Sequence, residues 1–232
     1  MENAIDSAGT IPSNDRVSLF ADLRVTGICL DFEQQAHGAG FRSIAGLDEV
    51  GRGCLAGPVV AAACILDITR PLPAGLNDSK KLSPSARKNI AAQLKDECIA
   101  FAVGQIEADE IDQINILEAT KKAMRLALDS LAVQADFLLI DALQLRDVAL
   151  PQRAIIKGDS LSGSIAAASV LAKTFRDELM HNYDLTYPAY GFAKHVGYGT
   201  PEHLSALRSY GPCPLHRKSF RGVKPEAADL SN

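Results

Sequence analysis

Two hydrophobic rhythms run along this 232-residue chain. Ser43 to Val50 reads as a strand, and Pro58 to Leu66 as a second, apolar strand rich in valine and alanine. Ser83-Pro84 sets a hydroxyl cap before a proline at the first helical position and predicts a helix to about Lys95. Ile99 to Ile106 reads as a third strand. Ile114, Leu117, Met124, Leu128 and Leu131 recur at helical spacing and predict one helix over 108–131. Phe137 to Ile140 and Ala154 to Ile156 are short apolar strands, followed by Asp141 and by Lys157-Gly158-Asp159. Ser164 to about Met180 is a small-residue helix whose alanines suit close packing on a sheet. Further helices are predicted around Leu30 to His37 and near Pro201 to Tyr210. Strands first, then helix–strand alternation, give an α/β fold: a mixed central sheet flanked by helices.

The ends carry less pattern. Met1 to about Asp15 is polar and aperiodic, so residues 1–30 are expected to form a disordered or loosely structured extension, and 225–232 a frayed tail. Between them lie a main domain over 31–187 and a small, mainly helical region over 188–224.

Composition narrows the class only modestly: 47% hydrophobic, 22% charged and no tryptophan describe an ordinary globular chain. The longest apolar runs, Leu55 to Leu66 and Ile165 to Ala172, are too short to span a bilayer, and no membrane association is expected. The five cysteines are odd in number and widely spaced without C-x-x-C, which argues against a zinc site and for a reducing cytoplasm. Net charge is −4, yet Gly191 to Lys224 holds six basic residues against one acid. Such a stripe can track a phosphate backbone, or can simply be a solvated face.

Chemistry concentrates in Ile44 to Ala63, IAGLDEVGRGCLAGPVVAAA. Adjacent Asp48 and Glu49 end an apolar strand, and side-by-side acids resist joint ionisation unless a cation neutralises them. Gly51-Arg52-Gly53 follows with a sharp turn, exposed N–H groups and a guanidinium, donors suited to phosphate. Asp141 and Asp159 also fall at or just past strand carboxyl ends, where α/β sheets bind ligands. Singly, each reads as a turn or cap residue; together with Glu49 they suggest one site. Asp48 and Glu49 point to opposite faces of a regular strand, so a shared site requires the strand to bulge or end there. An all-carboxylate set selects a hard ion such as Mg²⁺ or Mn²⁺. The late histidines, His181, His195, His203 and His216, read as surface or loop residues.

DEVGRGCLAGPVVAAA resembles the signature of ribonuclease HII, within the ribonuclease H superfamily. NDSKKLS (Asn77 to Ser83), NILEAT (Asn115 to Thr120), LLID (Leu138 to Asp141), KGD (Lys157 to Asp159), SIAAASVLAKTFRD (Ser164 to Asp177), YGF with GYGT (Tyr190 to Thr200) and HRKSF (His216 to Phe220) follow in family order. The resemblance covers about Phe32 to Val223. It implies a ribonuclease H-like fold and a metal-dependent endoribonuclease, a monomer, with Asp48, Glu49, Asp141 and Asp159 as its catalytic, metal-binding quartet. The partners implied are RNA–DNA hybrids and DNA containing single ribonucleotides, cut on the 5′ side to leave 3′-hydroxyl and 5′-phosphate ends, during DNA replication and repair. Substrate contacts fall on Gly51, Arg52, Gly53, Lys80 and Tyr198, the last on the 2′-hydroxyl, while Arg217 and Lys218 lie in the basic stripe expected to bind the duplex. A non-catalytic hybrid-binding protein on the same scaffold, or a glycosidase using paired carboxylates, are the alternatives. Two positions depart from the family pattern: Ala142 replaces a glycine, and Val196 replaces a lysine.

Overall fold

The computed structural model describes residues 25–223. In chain order the elements are α1 (Asp31–Gly38), β1 (Ile44–Val50), β2 (Val59–Ile65), α2 (Pro84–Glu97), β3 (Ala100–Ile106), α3 (Ala108–Ile114) and α4 (Ile116–Asp129). They continue with β4 (Phe137–Asp141), β5 (Gln152–Ile155), α5 (Gly163–Thr186), α6 (Phe192–His195) and α7 (Pro201–Tyr210). The five strands form one mixed sheet in the order β3-β2-β1-β4-β5. β1 pairs antiparallel with β2, and β2 with β3, whereas β4 runs parallel to β1 and β5 parallel to β4.

Both faces of the sheet are covered, as the continuous apolar run of β2 requires. Ala45 and Leu47 of β1 and Leu138 and Ile140 of β4 pack with Ala123 and Met124 of α4. On the other face Val60, Ala62 and Cys64 of β2 meet Ile90 and Leu94 of α2 and Ala168 and Leu171 of α5. Gly46 lets α5 lie directly on β1, since a Cβ there would fall 2.1 Å from the carbonyl carbon of Ser164. The small residues in α5 are therefore packing residues. The expected cap at Ser83 is present, its hydroxyl accepting from Ala86 N at 3.2 Å.

Three expectations need correcting. The helix predicted over 108–131 breaks at Asn115, whose φ of 69° lies in the left-handed region that asparagine tolerates. Asn115 Oδ1 accepts from Leu117 N and Glu118 N at 3.0 and 3.1 Å, capping a new helix. α5 continues six residues past Met180, to Thr186. At the amino end, Cys29 N donates to Leu161 O and Gly163 N to Cys29 O at 3.1 and 2.8 Å, so the last part of the expected extension is anchored. The remainder of that extension, and the tail expected over 225–232, lie outside the described residues. No described helix is long and apolar enough to cross a membrane.

Ala142 is exposed at φ 51°, immediately after β4. Conformation, not size, distinguishes it from glycine there, because left-handed backbone costs an L-residue about 1–2 kcal/mol. Ala142→Gly is therefore expected to stabilise the protein by about 0.5–1 kcal/mol after glycine's own entropic cost. A lower urea midpoint in that variant would contradict the strain argument.

Candidate active site

The sheet supplies the acids at one edge. Pairing of β1 with β2 is unbroken through Asp48, Glu49 and Val50, so the strand does not bulge; it ends, and Gly51 (φ 86°) turns the chain. Asp48 therefore points toward α5 and Glu49 toward the opposite face. The parallel register sets Leu47 beside Ile140, which makes Asp48 and Asp141 the next neighbours along the two strands. Asp159 follows β5, in the helical turn Gly158–Ser160 entered through Lys157 at φ 59°.

Each carboxylate has a different environment. Asp48 is buried, with Oδ1 accepting from Glu49 N at 2.8 Å. Burial first, and then the charge of Glu49, push its carboxyl well above the usual range, with Ser169 acting in the opposite sense. Glu49 is raised mainly by burial, opposed by Arg52, whose Nη1 donates to Oε1 at 3.1 Å. Its other oxygen, Oε2, is buried without a hydrogen-bond partner among the described residues. Asp141 is likewise raised chiefly by burial, while Gly158 N donates to its Oδ1 at 2.8 Å. Asp159 is buried and accepts from Lys80 Nζ at 2.9 Å.

Among the described residues, no three acids, histidines or cysteines converge as a ready-made ion cage. Arg52 and Lys80 instead supply countercharge to Glu49 and Asp159. The donor chemistry still fits a hard cation: oxygen ligands only, an unpartnered buried carboxylate oxygen on Glu49, and carboxyls destabilised by one another.

Lys80 stands on a loop fixed from two sides. Arg87 Nη1 donates to Ser79 O at 2.7 Å and its Nη2 to Asp177 Oδ2 at 3.0 Å. Ser79 Oγ lies 2.9 Å from Ser169 Oγ, linking the loop to the helix beside Asp48.

The Gly-Arg-Gly turn is exposed at Arg52 and Gly53, whose backbone N–H groups meet no acceptor among the described residues. Beneath it lie two fully buried guanidinium groups. Arg176 donates to Pro58 O, Val196 O and Ala56 O at 2.9, 2.8 and 3.0 Å. Arg217 donates through Nε and Nη2 to Gly57 O at 3.0 and 2.8 Å, and through Nη1 to Arg52 O at 2.9 Å. Neither has an ion-pair partner within 4 Å among the described residues; carbonyl oxygens take their N–H groups, and the Phe220 ring lies 5.1 Å from the Arg217 guanidinium, with the charge of Asp112 also favouring it. Burial lowers Arg217 to about 10, which still leaves it protonated at neutral pH.

Arg217 is thus not a surface contact for the duplex, contrary to expectation. With all its bonds directed at carbonyls of residues 52 and 57, it braces the turn. Lys218 is exposed, as a backbone contact requires, while its own N–H is tied to Asp112 Oδ2 at 2.7 Å. Arg176 lies within SIAAASVLAKTFRD with no spacing that distinguishes it, and sequence reasoning missed it.

Tyr198 is 41% exposed on a turn next to the Gly-Arg-Gly loop, to which Leu55 N bonds through Gly197 O at 2.8 Å. Lys173 Nζ stands 5.9 Å from its ring centre. Val196, just before it, has φ 44°, a strained value for a β-branched residue, and its partly buried side chain packs with the Tyr190, Phe192 and Met180 cluster. The late histidines correct another expectation: His195, His203 and His216 are buried together, and of these four His181 alone is exposed.

Comparison with known proteins places this geometry. Residues 45–223 match the family profile described as Ribonuclease HII. A ribonuclease HII from Desulfitobacterium hafniense is 56% identical over 194 residues, covering 84% of this chain and 74% of that protein. The fold is similar to the crystal structure of ribonuclease H2 from Pyrococcus horikoshii OT3, with a TM-score of 0.66 at 24% identity over 78% of this chain and 95% of that one. It is also similar to Bst-RNase HIII, solved in complex with Mn²⁺, with a TM-score of 0.60 at 22% identity over 81% and 70% of the two chains. A carboxylate-rich strand edge, a braced glycine turn and a profile match over most of the chain agree, and the protein belongs to the ribonuclease HII family of ribonucleases H.

Proposed function

We propose that the protein hydrolyses the RNA strand of RNA–DNA hybrids and cuts on the 5′ side of single ribonucleotides embedded in duplex DNA, leaving 3′-hydroxyl and 5′-phosphate ends. The observation that carries this reading is the meeting of a mutually repelling acid cluster with a turn whose N–H groups are free to receive a phosphate. Asp48, Glu49, Asp141 and Asp159 are the residues that would hold Mg²⁺ or Mn²⁺. Such ions supply an activated water and charge neutralisation at the leaving oxygen. The unpartnered oxygen of Glu49 and the raised carboxyls favour this assignment.

Other residues bind and orient. Arg52 and Gly53 present backbone donors at the turn, and Lys80 offers an ammonium that can exchange Asp159 for a phosphate oxygen. Tyr198 brings a phenol to the same rim, where a hydroxyl partner distinguishes RNA from DNA. Lys194 and Lys218, both exposed, provide backbone affinity without sequence information. Five cysteines without a disulfide fit work in a reducing cytoplasm. We take the acting species to be a monomer.

Single-turnover cleavage of a duplex with one ribonucleotide, beside a long hybrid, tests the proposal. Activity is expected with Mg²⁺ or Mn²⁺ and none in chelator. Tyr198→Phe is expected to slow the single-ribonucleotide reaction by roughly 10- to 100-fold, the worth of a hydrogen bond in a desolvated site, and the long hybrid far less. Equal losses on both substrates would reduce Tyr198 to a packing role.

A further inference from the structure

Behind Tyr198 the three buried histidines form a connected set that the reaction does not use. Tyr198 O can only accept, so His203, whose Nδ1 lies 2.9 Å away, carries its proton on Nδ1. Cys213 N can only donate, and it points at His216 Nδ1 from 3.0 Å, closer than Cys213 O at 3.3 Å, so His216 carries its proton on Nε2. The two Nε2 atoms are 3.0 Å apart, and these assignments leave one donor and one acceptor facing each other. A single neutral arrangement thus satisfies every polar atom from Cys213 N through both rings to Tyr198 O. His195, stacked on His203 with ring centres 4.4 Å apart, places its own Nε2 2.9 Å from Tyr190 O and accepts from Gly197 N at 3.3 Å.

The environment keeps the pair uncharged. Phe192 meets both rings and Tyr190 meets His216, while the titratable groups facing them are His195, Cys213 and Tyr190, with no carboxylate. Burial first, and the neighbouring His203 second, hold His216 down at about 4. Burial likewise lowers His203.

The anchored atom matters because the Tyr198 ring has few supports of its own. It is 41% exposed, with the Cys54 thiol as its one side-chain hydrogen-bonding neighbour among the described residues and Lys173 a distant one. Its position is set by the backbone of a turn that passes through two left-handed residues, Val196 and Gly197. We infer that His203 and His216 are positioning residues: a neutral two-imidazole relay that fixes the Tyr198 carbonyl, and with it the phenol that reads a lone ribonucleotide. This rests on the reading of Tyr198 given above and adds the device that aims it.

Two measurements decide it. Nitrogen-15 NMR of the wild-type imidazoles at neutral pH is expected to show His203 as the Nδ1–H tautomer, the minor form in water, and His216 as the Nε2–H tautomer. His203→Phe, which keeps a ring but no nitrogen, is expected to lower kcat/KM about tenfold more for a single embedded ribonucleotide than for a long hybrid. His203→Asn, whose amide N–H can take the place of Nδ1–H, is expected to recover most of that difference. An Nε2–H tautomer at His203, or equal losses on both substrates without rescue by asparagine, overturns the relay. Tyr198→Phe in parallel separates the two ideas. If it leaves the substrate ratio unchanged, the role of Tyr198 fails, and the tautomers together with amide exchange at Tyr198 in His203→Phe still decide whether the relay holds the turn.

Discussion

Asp48→Asn is expected to lower cleavage by roughly a thousandfold or more and, in metal-free buffer, to raise stability by on the order of 1 kcal/mol. Both effects have one cause. Asp48 is buried beside Glu49 and Asp141, so its charge is disfavoured until a cation arrives. Asparagine removes the repulsion and with it the ligand. The sign with pH follows. A carboxyl whose folded pKa is raised binds more protons in the folded state than in the unfolded one, so stability falls as pH rises from the ordinary aspartate range through the raised value. In chelator the melting temperature of the wild type should therefore drop across that window, more than in Asp48→Asn. Added Mg²⁺ should reverse the drop, because binding only to the folded state stabilises it. Near-wild-type turnover of the variant at saturating Mg²⁺ would remove Asp48 from the chemistry.

Arg217→Met should cost about 3 kcal/mol and most of the cleavage activity. It deletes three hydrogen bonds from a charged donor and leaves Gly57 O and Arg52 O without that partner. Arg217→Lys keeps the charge but loses the planar fork that spans the two carbonyls, so activity should fall further than stability. Urea unfolding with single-turnover cleavage separates these terms. Because the side chain is buried, the salt dependence of duplex binding by folded Arg217→Lys should match that of the wild type. A slope flattened by about 1 with unchanged stability would instead place Arg217 on a phosphate.

What could be read in advance was set by local physics. β1 and β2 announce themselves because both faces are buried and Gly and Pro bound them, and Ser83-Pro84 marks its helix start by chemistry within a few residues. Asn115 was missed because apolar spacing continues across it through Ile114 and Leu117, and only its backbone reveals the break. The acids were legible as strand-end residues, but the adjacency of Asp48 and Asp141 depends on β4 lying beside β1, a matter of sheet order. Arg176, Arg217 and the histidines were opaque for a stronger reason. A polar side chain tolerates burial when partners from distant segments surround it, and no local pattern encodes where a carbonyl 160 residues away will point.

The bond from Arg217 to Arg52 spans 165 positions, and a growing chain is made from its amino end. The acidic strand and its turn therefore emerge well before the guanidinium that braces the turn. Until then Arg52 and Gly57 lack that partner, and long-range contacts of this kind are slow to close. A partly synthesised chain has the acids of a nuclease without the braced turn that would seat a phosphate. The turn is therefore braced only once residue 217 has been made and has folded back to residues 52 and 57.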